Sequence, residues 1–76
     1  MTVSEGASNL LIQVKGRVTP ITIELYDVRG ALLGVLWSGT APISVAAETN
    51  HFAKGAAVVI MKAPEQSLLQ AVKVII

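Results

Sequence analysis

The chain is 76 residues long with no cysteine, and six Lys or Arg against five Asp or Glu leave a formal charge of +1. A length of this order supports one small domain. The missing cysteines exclude disulfide staples and thiolate metal sites, and the scattered basic residues (Lys15, Arg17, Arg29, Lys54, Lys62, Lys73) give no nucleic-acid footprint. Hydrophobic residues make up 53% of the chain but aromatics only 4%, so the core has to come from Val, Ile, Leu and Ala.

Residues 1–8 are small and polar. They carry neither a positive n-region nor an apolar h-region, so they are expected to be a linker or flexible end rather than a signal peptide. The domain proper is expected over residues 9–76. Asn9 to Val14 is a short apolar run expected as a strand, and Lys15-Gly16-Arg17 is expected as a turn. Ile21 to Tyr26 is the clearest strand, with Ile21, Ile23 and Leu25 alternating with Thr22, Glu24 and Tyr26.

Asp27-Val28-Arg29-Gly30 suits a type I turn. The Asp carboxylate can accept from nearby backbone N–H groups, and glycine takes the left-handed position without a Cβ clash. Ala31 to Trp37 is the expected return strand, Ser38-Gly39-Thr40 another turn, and Pro42 to Ala47 a further strand starting at an edge. Glu48 to Lys54 reads as a loop anchored by Phe52. Gly55 to Lys62 is almost continuously apolar, which predicts a central strand or one covered on both faces. Ala63 to Gln66 forms a turn, and Leu68 to Ile76 is the last strand. The pattern predicts an all-β fold, an immunoglobulin-like antiparallel β-sandwich of about six to seven strands.

Chemistry is sparse. His51 is the only histidine, and it reads as a solvated loop residue. Glu24 and Asp27 are the nearest approach to paired carboxylates, but three residues apart on a strand they point to opposite faces. Trp37 reads as packing rather than as a stacking platform for a sugar. The five carboxylates show no metal-ligand spacing, and no glycine opens a phosphate loop. The expectation is a non-enzymatic domain with no cofactor, whose function lies in its surface and edges. A terminal strand is a natural candidate for recognition by strand addition or carboxylate capture. A chain rich in aliphatic strands and only 14% charged also invites homodimerisation through sheet edges.

Three segments resemble the C-terminal sorting domains of the type IX secretion system, in a type A-like form. Ile23-Glu24-Leu25-Tyr26-Asp27-Val28-Arg29-Gly30 is similar to their v-x-I/L-Y-D-x-x-G segment. Lys54-Gly55 with Val58-Val59-Ile60 is similar to their l-x-x-G-x-Y-x-v-x-v segment, with Ala57 in the aromatic position. Ala71 to Ile76 is similar to their closing x-x-K-x-v-v segment. The resemblance implies a domain carried by a larger exported protein, passing through the periplasm to the outer membrane or cell surface. The outer-membrane translocon and a sortase would recognise it and attach its cargo to anionic lipopolysaccharide. By match, Asp27 and Gly30 shape the hairpin, Gly55 permits a close backbone approach, and Lys73, Val74, Ile75 and Ile76 form the recognised end. Two alternatives stay open: a retained accessory domain binding lipopolysaccharide or another component of the system, and a structural or adhesive sandwich.

Overall fold

A computed structural model describes residues 1–76, the side chain of Val18 excepted. Five strands follow in order: β1 (Thr2–Glu5), β2 (Asn9–Asp27), β3 (Leu32–Glu48), β4 (Ala56–Ala63) and β5 (Leu68–Ile75), with a single 3₁₀ turn at Pro64–Gln66 before the last. All pairings are antiparallel. The all-β expectation therefore holds.

The architecture is one hydrogen-bonded sheet rather than two stacked ones. β3 runs along one edge of β2 for nearly its whole length. The other edge of β2 is shared: β1 pairs with Leu10–Gln13, and β4 pairs with Thr22–Asp27. β5 then pairs with β4. The sheet curls until β1 meets β5, where the Met1 ammonium donates to Gln70 Oε1 at 2.6 Å.

The curl originates in two segments expected to be turns. Inward residues of β2 are Leu10, Ile12 and Val14 before the bend, but Ile21, Ile23 and Leu25 after it. Even positions give way to odd ones, and a strand of period two can switch parity only through an irregularity. The register shifts between Val14 and Val18 and again between Val18 and Ile21, and Gly16 adopts a φ of 85°. Across the ladder, Ile21 faces Gly39 and Val18 faces Ala41. Lys15-Gly16-Arg17 and Ser38-Gly39-Thr40 are thus opposite sides of one corner. There the long β2–β3 hairpin folds over, and neither segment reverses the chain.

The fold places Leu10, Ile12 and Val14 against Ile21, Ile23, Leu25, Ala57, Val59, Met61, Ala63 and Val74, all 3% exposed or less. Burying an aliphatic side chain of this size contributes roughly 1.5–3 kcal/mol. β4 shows why its apolar run is nearly continuous. Ala57, Val59, Met61 and Ala63 are buried, while Ala56, Val58, Ile60 and Lys62 face outward and stay half-buried. The strand is central, between β2 and β5, but the core covers only one of its faces. Ala57 points into this core at 1% exposure.

The first eight residues depart from the expected linker. Thr2–Glu5 form β1, with Val3 opposite Ile12, and Met1 and Val3 pack on the core. Only Gly6–Ser8 make a connection, closed by the Gly6 N–H donating to the Asn9 carbonyl at 2.9 Å. The loop after β3 does carry an anchoring Phe52, whose ring lies where a side chain on Gly34 would stand.

Candidate recognition surface

The hairpin tip is built locally. The Gly30 N–H donates to the Asp27 carbonyl at 3.1 Å, and the Asp27 N–H donates to the Ala31 carbonyl at 2.9 Å. Asp27 Oδ1 accepts from the backbone N–H groups of Arg29 and Ala31, both at 2.9 Å, and Arg29 Nη2 lies 3.6 Å from Oδ2. The Ala31 N–H holds the Asp27 carboxyl below its ordinary range against desolvation, with smaller help from the Arg29 N–H and guanidinium. Gly30 supplies a φ of 90°. Asp27 and Gly30 therefore shape the tip of the β2–β3 hairpin.

Gly55 is set by its conformation: a Cβ built there would find nothing within 4 Å, so space for a side chain is not what the position lacks. Its φ of 138° is what excludes most other residues. That conformation starts β4 in line with the end of β5. The Gly55 N–H donates to the Ile76 carbonyl at 3.0 Å, and the Ile76 N–H donates back at 2.9 Å. Asp27 pairs with Ala57, which pairs with Val74. The three sequence segments, far apart in the chain, thus converge at one end of the sheet.

The four residues expected to form the recognised end are not equivalent. Val74 is 2% exposed and belongs to the core. Ile76 is half-buried, and its backbone is bonded to Gly55. Lys73 and Ile75 face outward, and both are exposed. Lys73 stands in a cross-strand row with Val58 and Tyr26. Leu32, Val35, Leu69 and Ile75 lie on this same outer face at 53%, 57%, 63% and 58% exposure. An exposed ammonium in an apolar surround suits a partner that brings a carboxylate or another anion together with apolar groups.

One constellation on this face was not foreseen. Lys62 Nζ lies 2.8 Å from Glu24 Oε1 and donates to the Tyr26 hydroxyl at 2.9 Å, while that hydroxyl donates to Glu24 Oε1 at 2.7 Å. Register explains it: Lys62 faces Thr22, and Glu24 and Tyr26 follow on the same face of β2. Glu24 and Tyr26 could be placed on one face from the alternation, but Lys62 joins them only through the β2–β4 pairing. The hydrogen bonds from Lys62 and then Tyr26 hold the Glu24 carboxyl below its ordinary range. The hydrogen bond to Glu24, helped by Tyr26, raises the Lys62 ammonium above its own. Both shifts fix the charged forms. A lysine held protonated is a poor nucleophile or base near pH 7, and a carboxylate held ionised is a poor general acid. The cluster pins β2 to β4.

His51 is exposed, its ring 4.2 Å from that of Phe52. Trp37 is half-buried against the core, with its ring over Gly39, which is a packing role. Among the described residues no three His, Cys, Asp or Glu side chains group as metal ligands would. No family model matches the chain, and no curated protein or solved structure matches it significantly.

Proposed function

We propose that this chain is a sorting-type recognition domain of the type IX secretion system, a binding module that directs an exported protein to the outer-membrane translocon and sortase. The observation that supports this reading is the placement of Lys73 and Ile75. They project outward from a terminal strand whose alternate residue, Val74, is held in the core. The backbone that carries these two side chains is therefore held in place before binding, which lowers the ordering cost of recognition. Gly55 and the Asp27–Gly30 hairpin then act as structure, setting where β5 ends.

The test is export of a reporter fused ahead of residue 1 in a type IX-competent strain. Lys73→Glu combined with Ile75→Asp should abolish export, while the purified variant domain keeps its strand content and cooperative unfolding. Deleting residues 73–76 is a weaker test, because it also removes Val74 from the core. Normal export of the folded double variant would overturn the role given to the end of β5, and export unaffected by loss of the translocon would overturn the whole reading.

A further inference from the structure

β3 has a free edge along its whole length, since its only ladder is with β2. The two halves of that edge differ. Between Leu32 and Gly39 the pairing with β2 shifts register twice, and such irregularities turn an edge away from incoming strands. Between Ile43 and Glu48 the ladder with Asn9–Val14 is unbroken. No charged residue occurs between Arg29 and Glu48, so this regular half lacks the lysines that usually guard an edge. Its outward residues, Ser44 and Ala46, are small. Its inward residues, Ile43, Val45 and Ala47, pack on the core yet stay half-buried, because no strand lies beyond them.

We propose that this edge pairs antiparallel with the same edge of a second copy, about a two-fold axis through Val45. Opposed residues in an antiparallel pair project to the same face, so the axis must pass through a residue, and Val45 is the middle of the three inward ones. Val45 then meets Val45, Ile43 meets Ala47, Ser44 meets Ala46, and Pro42 meets Glu48. Inward residues cover inward residues, and no like charges are opposed.

The charges argue for this register independently. Lys15 and Pro42 adjoin Val14 and Ile43, the last pair before the register shifts, and both border the same groove. Gln13, Val14, Lys15, Pro42, Ile43 and Ser44 line this open groove of about 290 Å³. The Glu48 carboxylate of the second copy enters the row that holds Lys15. Two strand spacings, about 10 Å, separate the two backbones, a gap that extended Lys and Glu side chains can close across the low Pro42 ring. Neither Lys15 nor Glu48 has an ion-pair partner within its own chain among the described residues. The two-fold axis makes the contact twice. This proposal is independent of the sorting reading, because it uses the opposite edge of the sheet from β5.

Sedimentation velocity of the whole chain over a micromolar to millimolar series tests it. The dimer fraction should rise with concentration. Lys15→Glu and Glu48→Lys should each raise the half-dimer concentration by about tenfold, since each replaces two attractions with two repulsions. The double exchange, Lys15→Glu with Glu48→Lys, should restore wild-type association. Both residues are exposed, so all three variants should keep the wild-type circular dichroism spectrum. Val45→Cys should link two copies under mild oxidation, in a chain with no other cysteine. A monomer at every concentration would overturn the proposal. So would association that ignores both single reversals, as docking through Leu32 and Val35 would give, or a double exchange that fails to rescue.

Discussion

Replacing Val74 by alanine removes two methyl groups from a side chain only 2% exposed, on a strand that lies at the border of the core. The transfer loss is about 0.8 kcal/mol for each group, and the residual cavity adds to it, for a total of about 2–3 kcal/mol. A domain of this length has roughly 4–11 kcal/mol of stability to lose. The melting temperature should therefore fall by roughly 10–20 °C, at about 4–8 °C per kcal/mol for a domain of this size. The neighbour on the same strand provides the control. Ile75 is 58% exposed, so Ile75→Ala should stay within about 1 kcal/mol of wild type. Urea and thermal denaturation of both variants, with unchanged m-values, measure the contrast. Equal destabilisation by the two substitutions would refute the division of β5 into a buried row and a presented row. The division also matters for function: Val74→Ala should reduce export only in proportion to unfolding, whereas Lys73→Glu with Ile75→Asp should block it in a folded domain.

Further expectations follow from the hairpin and the polar cluster. Gly30→Ala places a Cβ at a φ of 90° with no neighbour to clash with, so its cost is backbone strain alone, about 1–2 kcal/mol by urea denaturation. A neutral result would mean that the turn has another conformation. Because the folded Glu24 carboxyl titrates below its ordinary value of 4.5, its contribution is present above that pH and lost as the pH falls through the depressed value. The stability gap between wild type and Glu24→Gln should therefore narrow from pH 6 toward pH 3. A gap that stays constant would show that the ion pair with Lys62 carries no weight. Lys62 is shifted upward from 10.5, so its contribution is complete below that value, and the same gap should be flat from pH 6 to 9.

How much could be read in advance depended on how far apart the deciding residues lie. The Asp27–Gly30 turn was legible because every group that forms it falls within five residues. The inward face of Ile21, Ile23 and Leu25 was legible for the same local reason. Gly16 and Gly39 misled because a positive-φ glycine marks a chain reversal and a strand irregularity alike. Only the pairing of β2 with β3 across the corner separates the two. β1 was hidden because its four residues offer one half-buried side chain, Val3, and its place is given by Leu10–Gln13 alone. On the candidate surface, the last strand was legible as a strand, but the separation of Lys73 and Ile75 from buried Val74, like the Lys62 cluster, required a register that no local pattern specifies.

The corner in β2 and β3 has a consequence for how the molecule comes apart. Each of these two strands contributes to both sides of the core, so neither side has a backbone of its own. In a sandwich joined by loops, one sheet can loosen while the other persists. Here, opening the Leu10–Val14 side peels the same strands that carry Ile21–Leu25, and the solvent-protected amides of Ile12 and Ile23 should exchange with a single, shared opening free energy.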